Sequence, residues 1–234
     1  MTTLPKKSLA SLFGVIWVYM LLLLITCFWT PFLLAVSHLP QINGWLLFQS
    51  RILIWGVLSL LYLYATRVEK KPFLAWKDKK YKLVFYICSV FILIVTIIVM
   101  ALLLKMLLVS LGYRQEFSRK LHDYAELFKT NTTLLIFTAL TAGVTEELIF
   151  RGYIQTRLEK AFNNPIAGIV VSAILFSSLH ASYGTLTQLL NPLLIGLLFS
   201  LYYWRYRNIK VLIVSHFLFD ILSLLAMTLV PTKG

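Results

Sequence analysis

The stretch LVFYICSVFILIVTIIVMALLLKMLLV, from Leu83 to Val109, decides the fold class. One residue in it, Lys105, carries a full charge, and as a helix rising about 1.5 Å per residue the run outreaches a hydrocarbon slab about 30 Å thick. Working outward, further apolar runs cover Leu9 to Val36, Trp45 to Ala65, Thr132 through Phe150, Pro165 to Tyr183, Leu186 to Trp204 and Val211 to Val230. They predict an all-α membrane protein, a polytopic bundle of about seven transmembrane helices around an intramembrane polar site. Composition agrees: 59% of the 234 residues are hydrophobic and 13% charged, more apolar material than a soluble core of this size buries. The first run follows Lys6 and Lys7 in the charge order of a signal peptide. It is far longer than the roughly 7 to 15 residues of a signal's apolar region, and no small-x-small site closes it, so a retained helix is expected. Cys27 and Cys88 each stand alone in an apolar run, which gives neither a disulfide framework nor a thiolate metal site.

A net charge of +13 points to lipid headgroups and not to nucleic acid, because the cations lie in short connections between the runs. From Arg67 to Lys82, seven cations (Arg67, Lys70, Lys71, Lys77, Lys79, Lys80 and Lys82) meet only Glu69 and Asp78. Connections rich in Lys and Arg stay in the cytosol, so the N-terminus is expected inside. Counting forward puts Arg157 and Lys160, then Arg205, Arg207 and Lys210, on that same side and the C-terminus outside. Residues 1–234 read as one integral membrane domain, with N-terminal helices over 1–131 and a motif-bearing core over 132–230. Between Gly112 and Asn131, the spacing of Phe117, Leu121, Tyr124, Leu127 and Phe128 predicts a short helix lying along the interface.

Glu146, Glu147, His180, His216 and Asp220 sit inside or beside apolar runs. A carboxylate in hydrocarbon costs at least about 2.5 to 3.5 kcal/mol on insertion scales, so such groups pair within a bundle and mark functional sites. They fall into three motifs. In Glu146-Glu147-Leu148-Ile149-Phe150-Arg151, Glu147 and Arg151 stand at i and i+4 and can form an ion pair, while Glu146 points about 100° away. Phe176-Ser177-Ser178-Leu179-His180 sets a ring and an imidazole one turn apart, and His216-Phe217-Leu218-Phe219-Asp220 repeats the spacing with an acid. Singly, each has a packing reading: a salt-bridged helix end, a hydrogen-bonded histidine, a self-neutralising pair. Together they form a set suited to activating water, with a carboxylate base, an imidazole to share its proton and groups to hold an oxyanion. Neither H-E-x-x-H nor G-x-S-x-G occurs. Ser177 and Ser178, with Ala139, Ala142, Gly143 and Ala173, read as small residues that let helices approach.

In this order, Glu-Glu-x-x-x-Arg, Phe-x-x-x-His and His-x-x-x-Asp resemble the CAAX prenyl endopeptidases and bacteriocin-processing or immunity proteins, a family of intramembrane glutamic endopeptidases related to Ras-converting enzyme. The likeness runs from about Thr132 to Val230 and is most specific over Thr145 to Gly152. The resemblance implies an integral membrane endopeptidase that hydrolyses a peptide bond in a membrane-associated protein or peptide, a prenylated protein or a bacteriocin precursor being the family's kinds of substrate. It also implies roles. Glu146 and His180 activate the attacking water, His216 and Asp220 steady the oxyanion, Arg151 holds Glu147, and Phe176 supports the set. Where the family commonly has Asn, this chain has Asp220; an ionised Asp accepts hydrogen bonds and donates none, so an oxyanion role requires a retained proton.

Metal-free chemistry is favoured on the same resemblance; were divalent zinc used, Glu146, His180 and His216 are the candidate ligands. Two rivals carry other functions. One is a non-catalytic membrane protein of bacteriocin self-immunity, with the polar cluster as a packing device. The other is a transporter relaying protons through Glu, His and Asp. Depth matters for the enzymatic reading: a helix ending at Phe150 separates Glu146 from His180, whereas one continuing through Leu158 sets Glu146 near mid-depth. The site is expected to face the cytosol.

Overall fold

The computed structural model describes residues 6–38, 42–113 and 118–229. The two chain ends, including Val230, lie outside the described residues, as does Phe117. Among those described there are helices and no strand. In chain order they are α1 (6–37), α2 (Gly44–Val68), α3 (Leu83–Ser110), α4 (Arg119–Thr130), α5 (Thr132–Phe162), α6 (Pro165–Tyr183), α7 (Thr187–Tyr206) and α8 (Ile209–Thr228). Six, namely α1, α2, α3, α5, α6 and α8, are long and apolar enough to cross a membrane. The protein is a polytopic helical membrane protein. The run expected over Leu186 to Trp204 is helix α7, of spanning length but interrupted by Gln188, Asn191 and Arg205.

Asparagines start four of these helices, because a side-chain oxygen satisfies an amide that has no partner in the first turn. Asn43, Asn131, Asn164 and Asn208 accept from the amides of Leu46, Leu134, Ile166 and Val211 at 2.9, 2.9, 2.9 and 3.2 Å. At the other ends the backbone turns left-handed, at Asn163 after α5 (φ 49°), Gly184 after α6 (φ 78°) and Arg207 after α7 (φ 49°). The amphipathic helix expected before Asn131 is α4, whose Leu121, Tyr124 and Phe128 are buried.

Hydropathy ends the fourth run at Phe150, yet α5 runs on to Phe162. Its later polar residues find partners inside protein, which is where a membrane bundle tolerates them. Gln155 donates to Glu159 at 2.8 Å and to the Ser200 carbonyl at 3.0 Å. Accordingly 61% of the apolar window of α5 is buried against 17% for α3, so α5 is the central helix and α3 a peripheral one facing lipid. Over Ala142–Gln155 its bonding widens to the π pattern of i to i+5, a winding that recurs at functional sites.

Three apolar clusters close around α5 and its neighbours. Val15, Val18 and Leu22 of α1 and Ile54, Val57 and Leu61 of α2 pack on Ile149, Phe150 and Ile154 of α5. Leu93 and Ile97 of α3 pack on Phe199 and Tyr203 of α7 and Leu212 of α8. Tyr124 and Phe128 of α4 meet Leu47 of α2 and Leu134 and Leu135 of α5.

The 67–82 loop is pinned to one end of the bundle. Arg157 of α5 donates to Glu69 at 3.1 Å and to the carbonyls of Pro72 and Phe73 at 2.9 and 2.8 Å, and the Tyr153 hydroxyl donates to Glu69 as well. Asp78 accepts from the Ile209 amide at the start of α8, at 3.1 Å. The opposite end holds α4, the start of α2 and the turn from α6 to α7.

Candidate active site

Small residues set how closely the helices carrying the polar groups approach. A Cβ added to Gly143 of α5 would stand 2.9 Å from the Phe217 amide nitrogen and 3.0 Å from the Ile213 carbonyl oxygen of α8. Backbone lies against backbone there, one residue from His216. Likewise Gly196 of α7 lets Ala173 of α6 in, its added Cβ meeting the Ala173 Cα at 3.2 Å. The two serines keep to packing: Ser177 donates to the Leu189 carbonyl at 2.6 Å, and Ser178 shares a hydrogen bond with the Tyr19 hydroxyl at 2.6 Å.

With α8 held this close, one oxygen of Glu147 serves two partners. Glu147 Oε1 accepts from Arg151 Nη1 at 2.8 Å and from His216 Nδ1 at 2.7 Å. Arg151 is fully buried, its guanidinium over the Phe176 ring at 4.4 Å and the Phe199 ring at 5.5 Å, so the cation is neutralised by one acid and two π faces. Because a carboxylate only accepts, His216 Nδ1 carries the hydrogen. Its Nε2 is thereby turned between two other acids, 3.9 Å from Glu146 Oε2 and 3.7 Å from Asp220 Oδ2, both short of hydrogen-bond contact.

His180 ends α6 in a tighter 3₁₀ turn. Its Nδ1 lies 3.1 Å from the Phe176 carbonyl oxygen, so this nitrogen too is the donor, and a neutral ring has its basic lone pair on Nε2. Phe176 stands between the histidines, its ring centroid 5.0 Å from that of His180 and 6.2 Å from that of His216. Glu146 and His180 line one cavity, walled by α1, α2, α4, α5 and α6. The side chain of Glu146 is 21% exposed and that of Asp220 23%, whereas that of Glu147 is 0% exposed. The first two acids are therefore partly open and the third is sealed in the bundle.

Every residue singled out in the sequence falls in this region, but not in one ring. Glu146, Glu147, Arg151, His216 and Asp220 form a contiguous network around His216. His180 joins it through Phe176 and through the cavity it shares with Glu146, and that cavity's walls do not include His216 or Asp220. As for metal, among the described residues no three His, Cys, Asp or Glu side chains converge as ligands, so Glu146, His180 and His216 do not fit a zinc set as they stand.

Sequence reading missed two cations. Arg51 of α2 and Lys120 of α4 line the same cavity, and burial, with Arg51 nearby, holds the Lys120 ammonium below its ordinary range. Their signal was weak: Arg51 is a cation inside an apolar run, and Lys120 one of several in a polar helix. The facing also differs from expectation. The cavity lies toward the α4 end, away from the 67–82 loop, so a cytosolic loop and a cytosol-facing cavity exclude one another in this fold.

Residues 128–222 match the family model described as type II CAAX prenyl endopeptidase, Rce1-like. Over that segment the chain is similar to the Rce1-like family. The match spans α5, α6, α7 and most of α8, and with them all three motifs; α1 to α3, Arg51 and Lys120 lie outside it. No curated protein and no solved structure matches the chain.

Proposed function

We propose that this protein is an intramembrane endopeptidase that uses a glutamate-activated water on a peptide or membrane-protein substrate. The observation that carries the reading is the shared cavity of Glu146 and His180, backed by a His216 that Glu147 orients. Bound water donates one hydrogen to the Glu146 carboxylate and the other to His180 Nε2, which leaves an oxygen lone pair for the substrate carbonyl. Attack forms the C–O bond as Glu146 takes the proton. The carbonyl oxygen becomes an oxyanion on the His216 and Asp220 side, where His216, protonated on both nitrogens, donates through Nε2–H and a protonated Asp220 donates beside it. Glu146 then passes its proton to the amide nitrogen, the C–N bond breaks, and an acid and an amine leave.

The cycle as drawn needs no metal, and activity is expected to survive a strong chelator. The cations of the 67–82 loop argue for that end in the cytosol, so we place the cavity toward the opposite face of the membrane. Comparative proteomics of membranes holding the intact protein or its Glu146→Gln form tests the function: uncleaved precursors should accumulate with the variant. Identical sets of protein ends in the two membranes would remove the reading, and undiminished bacteriocin protection by the variant would replace it with self-immunity.

A further inference from the structure

We propose that Tyr183 is a further catalytic residue, whose hydroxyl donates a hydrogen bond to the oxyanion from one side while His216 and Asp220 approach it from α8. The proposal rests on the endopeptidase reading and adds a third donor to it.

The placement follows from how the chain winds after Ser178. Leu179–Tyr183 is a 3₁₀ turn, and with three residues per turn the side chains at i and i+3 eclipse. Tyr183 therefore shares a face with His180, their ring centroids 6.1 Å apart and their planes 26° from parallel. Gly184 leaves the turn at φ 78°, a backbone position that suits glycine, so the helix ends with Tyr183 in that orientation. The ring is held from other directions as well. Tyr124 meets it edge-on at 6.1 Å, and Lys120 Nζ sits 4.7 Å from its centre.

Tyr183 lines the same cavity as Glu146 and His180, whose walls leave out His216 and Asp220. A carbonyl attacked beside Glu146 therefore needs a donor from the wall itself. Several wall hydroxyls are already committed. Thr26 donates to the Leu22 carbonyl at 2.9 Å and Ser50 to the Leu47 carbonyl at 2.7 Å, while Ser182 takes the Lys120 ammonium at 3.0 Å. The Tyr183 hydroxyl has no hydrogen-bond partner among the described residues, and the carboxyls of Glu146 and Asp220 both act on it through space. It thus joins the two halves of the site that the cavity wall divides.

The chemistry fits the place. A phenol titrates near pH 10, so at neutral pH it keeps the hydrogen that an oxyanion requires, whereas Asp220 donates only while protonated. A donor fixed before the reaction needs no reorganisation as charge develops. A tyrosine at the end of a membrane helix commonly anchors it at headgroup depth. This one instead turns an unbonded hydroxyl toward two acids inside the bundle.

The test compares the full chain with its Tyr183→Phe form, each in phosphatidylcholine nanodiscs. Phe keeps the ring contacts and removes the hydroxyl, so the melting temperature should stay near that of the parent. The probe is membrane from cells holding the Glu146→Gln form, in which uncleaved precursor accumulates, with new protein ends counted over time by mass spectrometry. The kcat should fall about 100-fold while KM changes by less than about twofold. A peptide with a phosphinate in place of the cleaved amide presents the tetrahedral oxygen, and its affinity should fall by the same factor. An unchanged kcat overturns the proposal. So does a loss confined to KM, or one matched by a drop in melting temperature, because the hydroxyl would then serve ground-state binding or packing. No cleavage by the parent protein removes the endopeptidase reading and the donor with it, whereas cleavage that Tyr183→Phe leaves intact removes the donor alone.

Discussion

His216 Nδ1 stands 2.7 Å from Glu147 Oε1, although the two residues are 69 positions apart in the chain. That bond holds one imidazole hydrogen on the side away from the cavity and aims Nε2 at Glu146 and Asp220. Such outer partners set the tautomer and direction of a histidine that acts on substrate. In the proposed mechanism Glu147 is therefore a positioning residue, with Arg151 bonded to the same oxygen.

Replacing Glu147 by Gln keeps an oxygen for both partners and removes the charge. Turnover should fall by about 10- to 100-fold, mainly in kcat, with KM near that of the parent and a melting temperature between those of the parent and Glu147→Ala. Glu147→Ala should differ in kind, because it strands Arg151 in a fully buried place at a cost of about 3 to 5 kcal/mol. Detergent-solubilised yield and thermal melts separate the two. A Glu147→Gln loss confined to melting temperature would reduce Glu147 to scaffolding.

Buried charge also holds the 67–82 loop. Arg157 and Glu69 have side chains 3% and 0% exposed and meet at 3.1 Å. Arg157→Ala leaves the Glu69 carboxylate buried without its cation, and unfolding in mixed micelles should become easier by about 3 to 5 kcal/mol. The pair replacement Arg157→Leu with Glu69→Met should recover most of that loss. A double variant no better than Arg157→Ala would place the stability in the carbonyl contacts to Pro72 and Phe73 instead.

How much of this was legible in the sequence follows from what fixes each feature. Bilayer thickness fixes run length, so Leu83 to Val109 matches a helix of Leu83–Ser110 almost residue for residue. Hydropathy lost the thread at Arg151 because that measure treats a buried, paired arginine as a surface residue. The i, i+4 pairing of Glu147 with Arg151 was readable from helix geometry, and so was the role of Gly143 as a point of close approach. Contact of Glu147 with His216 was not readable, since it depends on the rotation of α8 against a π-wound α5. Glu69 was read as one acid among loop cations, and nothing local distinguishes it from Asp78, which caps α8.

Topology is open to direct labelling. Lys77 and Tyr113 are both exposed, in the basic loop and in the turn after α3, at opposite ends of the bundle. In a background without Cys27 and Cys88, Tyr113→Cys should react with an impermeant maleimide on intact cells, and Lys77→Cys only after permeabilisation. The reverse pattern would turn the cavity to the cytosol and overrule the cation count.

Asp220 separates two ways in which the site can work. Its Oδ2 and Glu146 Oε2 flank the same His216 nitrogen, at 3.7 and 3.9 Å, so an oxyanion settling there meets Asp220 either as a donor or as a like charge. As a donor, Asp220 must keep its proton, and activity must fall as pH rises through its titration. Asp220→Asn supplies a permanent donor of nearly the same size. It should therefore retain most activity at neutral pH and extend it to higher pH. If an ionised carboxylate is instead needed to orient His216, or helps to bind a metal, the amide should cost orders of magnitude at every pH. Cleavage measured across pH for both forms, with and without chelator, distinguishes the cases. A dead Asp220→Asn enzyme, beside a parent that chelator silences and zinc restores, would sink the metal-free donor arrangement.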